Sequence, residues 1–267
     1  MRLSIIAAVS DCLLACVRLG AHDFWLGTPS WSPAAGARWT VTAQVGEHFP
    51  APEIGPPANR VDLWRVIGAA GDVAIDRAFR LEKTLLSADA MLPSAGVYLG
   101  VMTIAVQTIE MKGAEFTDYL KDEGLESVIA ARKSAGETDA PARERYARYA
   151  KIAVRTGPGD AASLLRPVGL KAEFVPQTDP TSLKPGQPLT VQLLTDGRPV
   201  PNAAVTAVGG NGGTTATART DENGRVSLAL DRPGAWLIKT VHMTKLPPGS
   251  TEHWESFWVT LAVHTAG

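Results

Sequence analysis

The histidines are the residues of this sequence whose chemistry points most directly to a site. The chain carries five of them, His22, His48, His242, His253 and His264. Its two cysteines, Cys12 and Cys16, both precede every histidine. Imidazole nitrogens bind transition metals, and without a downstream thiolate the other donors must be nitrogen or oxygen atoms. The composition beyond Cys16 therefore excludes zinc fingers, iron–sulfur clusters and thiol enzymes.

Residues 1–21 have the parts of a secretory signal peptide. Arg2 supplies a positive start, Leu3–Val9 and Leu13–Val17 are apolar, and Ala21 is a small residue at the expected cleavage point. Such a segment is removed on export. We therefore expect a periplasmic protein whose mature chain begins at His22.

A second interpretation of the same segment stays open. Leu13-Leu14-Ala15-Cys16 resembles a lipoprotein box, which would make Cys16 a lipid-anchored first residue. Leu14 fits that box poorly, and Leu19 is bulky for the position that it holds before Ala21. The two interpretations differ in whether His22 becomes the chain terminus.

An N-terminal His22 would offer two donors from one residue. The ordinary pKa of an α-amino group is roughly 7.7–8.0, so a metal displaces its proton at little cost near neutral pH. The imidazole then closes a chelate ring on the same ion. Such an end suits nickel or copper, which stand high in the affinity order for nitrogen sites.

Two acidic residues continue the apolar phase of predicted strands. Glu47 follows the alternation of Val41 to Val45, and Glu255 shares the phase of Phe257 to Val263, as does His253. A carboxylate that faces a core is costly unless it is paired or bound to a metal. Glu47 and Glu255 are therefore candidate ligands, although both also stand at strand ends, where alternation lapses.

The remaining histidines differ in promise. His242 shares the phase of Trp236 and Ile238 in an apolar strand, which makes it a further candidate ligand. His48 points away from Glu47 in an ideal strand, so the two could bind one ion only across a bulge or loop. His264 is almost terminal, and we expect it at the surface.

Catalytic motifs are absent from the sequence. It contains no Gly-x-Ser-x-Gly elbow and no His-Glu-x-x-His, and the glycine run at 209–213 joins two predicted strands rather than a strand and a helix. A net charge of −1 argues against a nucleic-acid partner. We expect a binding protein and not an enzyme.

Alternating residues predict strands at both ends of the mature chain. We expect strands at 39–45, 61–67 and 97–106 in residues 22–111, and a meander with turns at Asp196-Gly197 and Asp221–Gly224 in residues 167–267. Residues 112–166 are rich in charge and alanine, and their spacing at 116–120 and 146–153 predicts two or three short helices. The fold class is thus all-β, with two immunoglobulin-like or transthyretin-like antiparallel β-sandwich domains around a short α-helical insert.

Short motifs in order along the mature chain support a family resemblance. They are His22-Asp23-Phe24-Trp25-Leu26, Val45-Gly46-Glu47, Tyr119-Leu120 with Glu123-Gly124-Leu125, Arg143-Glu144-Arg145-Tyr146, Tyr149-Ala150-Lys151, Thr220-Asp221 with Gly224, Trp236-Leu237 with His242, and Trp254-Glu255-Ser256. Together they resemble a bacterial family catalogued as domain of unknown function 4198. The C-terminal run from Asp196 to Trp236 resembles transthyretin-like or carboxypeptidase-regulatory-like domains.

The resemblance implies a more specific function than the residues alone indicate. Many members of that family are labelled periplasmic components of nickel or cobalt uptake. It implies a divalent metal held by His22, His242, Glu47 and Glu255, and a membrane transporter or outer-membrane receptor as partner. His48 and His253 lie where the family pattern is loose, and they form a second tier of metal candidates. Two alternatives remain: a structural or adaptor protein of the envelope without metal, and a copper mono-oxygenase that uses an N-terminal histidine.

Overall fold

The computed structural model describes residues 22–210 and 215–267. The signal-peptide and lipoprotein-box predictions lie outside these residues. The first segment contains β1 (Asp23–Gly27), β2 (Arg38–Gly46), β3 (Val61–Gly68), β4 (Gly71–Val73), β5 (Arg80–Glu82), β6 (Leu85–Met91) and β7 (Val97–Met111). Two helices follow, α1 (Gly113–Asp122) and α2 (Glu126–Ser134).

The rest of the chain is built from strands. They are β8 (Ala142–Arg155), β9 (Ala172–Pro176), β10 (Pro188–Thr195), β11 (Arg198–Pro199), β12 (Ala204–Gly209), β13 (Thr215–Arg219), β14 (Arg225–Ala229), β15 (Gly234–Lys245) and β16 (Trp254–Thr265). Asp196 and Gly197 both have positive φ angles, of 49° and 70°. A two-residue hairpin turn of this kind requires that geometry, so the predicted turn is confirmed.

One long sheet forms the middle of the molecule, with strand order β13-β12-β15-β16-β8-β7-β3-β4. Its neighbours are antiparallel except for β16 and β8, which run parallel from Glu144 to Ile152. The predicted antiparallel sandwiches thus contain one parallel pair of strands. Parallel strands need a long crossover, and here the chain from β9 to β15 provides it.

A small sheet covers each face of the long sheet. The sheet β1-β2-β6-β5 packs on the face that presents Leu237 and Ala262. The sheet β11-β10-β14, with β9 paired to β10, packs on the face that presents Ile238 and Leu261. Successive residues of a strand point to opposite faces, so β15 and β16 contribute side chains to the hydrophobic core on each face of the long sheet.

These layers confirm the all-β sandwich class, with a short helical insert. The long sheet takes strands from each of the three segments predicted at 22–111, 112–166 and 167–267. Those boundaries stay predictions. No helix in the described part of the chain is long and apolar enough to span a membrane.

The helical prediction was right for only part of residues 112–166. Helices α1 and α2 form as expected, and Phe116 and Leu120 are fully buried on one face of α1. Tyr146, Tyr149 and Ala153 instead lie on strand β8. Tyr146 packs beside the helices and Tyr149 packs in the core on the other side of the sheet. Because β8 is buried on both faces, its apolar residues lack a period of two and imitate helical spacing.

Candidate metal centre

The register of β1 against β2 brings His22 and Glu47 together. Asp23 pairs with Gly46, so the next pair outward along the two antiparallel strands is His22 and Glu47. His22 Nε2 lies 3.1 Å from Glu47 Oε1. The His22 residue is buried, with 5% of its surface exposed, whereas 54% of the Glu47 side chain is exposed.

The loop after β2 returns to the same place and adds a second carboxylate. The Glu53 and Ile54 N–H groups both donate to the carbonyl oxygen of Val45. This return places Glu53 Oε2 at 3.7 Å from His22 Nδ1. Gly46 permits the close turn, because a Cβ there would lie 2.8 Å from the carbonyl oxygen of Ala51.

A second imidazole completes the cluster. One ligand atom from each of Glu47, His48 and Glu53 can be chosen so that all three lie within 4.8 Å of one another, and all three residues are exposed. The Glu47 N–H also donates to Glu53 Oε1 at 3.2 Å. The cluster thus offers two exposed carboxylates and the exposed His48 imidazole, and the buried His22 ring lies beside both carboxylates.

The two ring nitrogens of His22 differ in their surroundings. Nε2 is within hydrogen-bond distance of Glu47, while Nδ1 is buried and has no hydrogen-bond partner among the described residues. Buried ring nitrogens in proteins nearly always have a partner. A buried donor atom beside Glu53, in a set of nitrogen and oxygen donors, fits a bound transition metal ion.

Buried polar groups fix the strand that carries His22. Arg148 Nη2 donates to the His22 carbonyl oxygen at 3.2 Å, and Thr260 Oγ1 donates to that of Phe24 at 2.8 Å. Lys239 Nζ donates to both carboxylate oxygens of Asp23, at 3.0 and 2.9 Å. Burial raises the pKa of Asp23, while Lys239 opposes that rise. These contacts hold the His22 backbone against the long sheet.

His242 and Glu255 lie on the opposite face of the long sheet from β1. The His242 ring packs 6.4 Å from that of Phe257, and its burial lowers the pKa of the imidazole. Glu255 Oε1 is bound by Arg145 at 2.9 Å and Lys171 at 3.3 Å. The structure therefore does not bring these two residues to His22.

His253 and His264 also lie away from the cluster. His253 Nδ1 accepts a hydrogen bond from the Arg143 N–H at 3.2 Å. His264 is half-buried and stacks on Trp31 with 5.4 Å between ring centroids. Of the six residues predicted as metal ligands, His22, Glu47 and His48 come together.

Glu53 is the residue that sequence reasoning missed. It stands in the Pro-rich segment 50–57, which the sequence marks only as a turn between strands. No strand phase applies to such a residue, so periodicity gives it no direction. The nearest sequence signal is the position of Glu53, six residues after Glu47 across a run of turn-forming residues. That signal predicts that the chain reverses direction, but not which residues the reversal brings together.

Comparison with known sequences identifies a family. The sequence profile of the family described as domain of unknown function (DUF4198) matches residues 19–244. Among curated proteins none matches the chain. The profile match covers more than half of the chain, from the His22 strand to β15.

Two similar solved structures have low sequence identity to this chain. An Escherichia coli adhesin, FdeC, is 14% identical over 93% of this chain and 65% of its own, with a TM-score of 0.25. The D00-D0 domain of intimin is 13% identical over 91% of this chain and 100% of its own, with a TM-score of 0.22. This chain thus spans just under two thirds of the adhesin's length. At these TM-scores the likeness bears on neither site nor function.

Proposed function

The chain belongs to the domain of unknown function 4198 family, and we propose that it is a periplasmic protein that binds a divalent transition metal ion and assists its uptake. Nickel and cobalt are the favoured ions, and copper is a further candidate. His22, Glu47, His48 and Glu53 would hold the ion. His242 and Glu255 are left out of this set, because they lie across the long sheet.

The observation that carries the proposal is the buried His22 ring between two carboxylates. Its Nδ1 lies 3.7 Å from Glu53 and its Nε2 lies 3.1 Å from Glu47. Two carboxylates would compensate the charge of a divalent ion, and a carboxylate that bonds a metal-bound imidazole fixes its tautomer and orientation. One of the two acidic residues would then be a ligand while the other orients the ring.

The donor chemistry narrows the choice of ion. Imidazole and carboxylate suit nickel, cobalt, copper and zinc, whereas calcium and magnesium prefer oxygen ligands alone. If residues 1–21 are removed on export, the α-amino group of His22 would add a third nitrogen. That donor would favour nickel and copper further, since both stand high in the affinity order.

The exposure of three of the four residues in the cluster supports a role in transfer rather than permanent storage. Glu47, His48 and Glu53 are all exposed, and only His22 is buried. An ion bound in this way stays accessible to a partner protein. We propose a membrane transporter or an outer-membrane receptor as that partner.

Calorimetric titration of the metal-depleted protein with nickel and with cobalt tests the metal site. His22→Gln and Glu53→Gln should each weaken binding by about tenfold or more, the range seen when ligands or their supporting groups are lost. His242→Gln and Glu255→Gln are the matched controls and should leave the affinity unchanged. Equal affinity in all four variants, or a loss confined to the two controls, would refute the proposed ligand set.

The proposal also sets a pH dependence. Each nitrogen ligand must be free of its proton to bind the ion, so the affinity should fall as the pH is lowered. The same titration at several pH values measures this. An affinity that is constant with pH would contradict imidazole ligands.

The export part of the proposal needs its own experiment. Mass spectrometry of the protein isolated from cells distinguishes a chain that begins at His22 from one lipidated at Cys16. A matched variant with one alanine inserted before His22 should bind nickel more weakly if the α-amino group is a ligand. Equal affinity of the two proteins would remove the amine from the site while leaving the side-chain ligands in place.

A further inference from the structure

A cleft beside the metal cluster carries a positive charge from Arg60. It has a volume of about 820 Å³ and is bounded by β1, the loop at 54–60, and the middle of β7. We propose that this cleft binds a small organic carboxylate with an apolar body. The inference concerns a second ligand and does not depend on the metal site.

The floor and one wall of the cleft are apolar. Phe24, Val45 and Ile104 are buried there, while Ile54 and Val106 keep 46% and 62% of their surface exposed. Exposed large apolar side chains that converge on one concavity are typical of ligand sites. The volume also lies within the range of roughly 300–1,000 Å³ that small-molecule sites have.

A β-bulge shapes this wall. The pairing of β7 with β8 shifts register between Ile104 and Gln107, so Ala105 and Val106 have no partner on β8. The pairing of β3 with β7 is irregular at the same level, between Val61 and Leu63. Bulges redirect side chains and are frequent beside functional sites. Here the bulge turns Val106 toward the cleft.

The other wall is polar and positively charged. Gln107 Oε1 accepts hydrogen bonds from Arg60 Nη1 and, at 3.4 Å, from the Tyr146 hydroxyl. The Arg148 guanidinium lies 5.3 Å from the centre of the Tyr146 ring. Among the described residues that line the cleft, two are arginines and none is Asp or Glu.

This distribution of charge selects the class of ligand. The exposed Arg60 guanidinium attracts an anion, and the planar fork of arginine matches a carboxylate. Arg148 is buried, and the Asp23 and Glu144 carboxylates already interact with its charge. Arg60 is exposed and uses one of its five N–H groups in the bond to Gln107, so others are available to a ligand. The apolar wall opposite calls for a hydrocarbon or aromatic body on the same molecule.

Calorimetric titration of the metal-depleted full chain with hydrocinnamate, and with its neutral amide, tests the inference. The two probes have the same shape and differ in charge, so hydrocinnamate should bind about tenfold or more tightly, as expected for a charge-assisted hydrogen bond. Arg60→Gln should remove this difference. Arg198→Gln, an exposed arginine on the far sheet, is the matched control and should preserve it.

A second variant tests the location without altering an arginine. Val106→Glu places a negative charge on the exposed wall of the cleft and should reduce hydrocinnamate binding by about tenfold or more. Circular dichroism checks that each variant is folded. Equal binding of acid and amide, equal loss in Arg60→Gln and Arg198→Gln, or no binding of hydrocinnamate at millimolar concentration would each overturn the inference.

Discussion

Replacing Glu144 by Gln is expected to stabilise the protein above neutral pH and to have little effect in acid. The Glu144 residue is 1% exposed, and its Oε1 accepts hydrogen bonds from the Tyr119 hydroxyl at 3.2 Å and from Ser256 Oγ. Burial raises the pKa of Glu144 to about 7, although its hydrogen bonds and Arg148 oppose the rise. Gln keeps the accepting oxygen and carries no charge at any pH.

The sign and magnitude follow from the two pKa values. Between an unfolded value of 4.5 and a folded value of about 7, the folded state binds more protons than the unfolded state, so the free energy of unfolding decreases as the pH rises. The pKa rises by about 2.5 on folding, and a rise of one corresponds to about 1.36 kcal/mol. The free energy of unfolding of Glu144→Gln should therefore exceed that of the parent protein by about 3 kcal/mol at about pH 8, and by almost nothing near pH 4.

Urea unfolding followed by tryptophan fluorescence at the two pH values measures this difference. Glu110→Gln is the matched control, because Glu110 lies on neighbouring strand β7 in an exposed ion pair with Arg143 at 2.9 Å. The control should change stability by less than about 1 kcal/mol at either pH. A loss of stability in Glu144→Gln at about pH 8 would refute the reasoning, since it would mean that the ionised carboxylate stabilises the fold.

Two further predictions concern the core. Lys151→Met should lower the free energy of unfolding by about 3 kcal/mol and Glu173→Leu by about 5 kcal/mol, the two ends of the range for breaking a buried ion pair. Lys151 Nζ lies 2.6 Å from Glu173 Oε2, and Glu173 also accepts hydrogen bonds from three backbone N–H groups that Leu would leave unpaired. Urea titrations in which Lys151→Met lowers the free energy of unfolding more than Glu173→Leu would contradict this account. Gly100→Ala should lower the free energy of unfolding by about 1–3 kcal/mol through overpacking, because a Cβ would lie 2.7 Å from Ile152 and 3.2 Å from Trp39. A thermal unfolding midpoint at or above that of the parent protein would contradict this prediction.

Strand existence was predictable because a half-buried strand has a simple period. The residues 39–45 alternate cleanly, and β2 forms there with its apolar side chains inward. Strand β8 was mistaken for helix because both of its faces are buried, which removes the alternation. Its parallel pairing with β16 was also beyond prediction, since no local pattern reports which distant strand becomes a neighbour.

Some residues of the candidate metal site could be predicted from the sequence and others could not. His22 and Glu47 could be proposed from residue type and strand phase, and the antiparallel register of β1 and β2 joins them. Glu53 could not, because it lies in a loop where φ and ψ follow no period. His242 shares the apolar phase of its strand, yet that phase faces the sheet β11-β10-β14 rather than β1.

The sequence by itself determined the all-β class, several of the strands and turns, and the kinds of donor atom available beyond Cys16. Those properties depend on residue type and on near neighbours along the chain. The tertiary structure alone decided which donors meet, that one long sheet serves two cores, and that an arginine-lined cleft opens beside His22. Each of these depends on pairing between distant strands, which is fixed by the burial of both sheet faces and not by any local pattern.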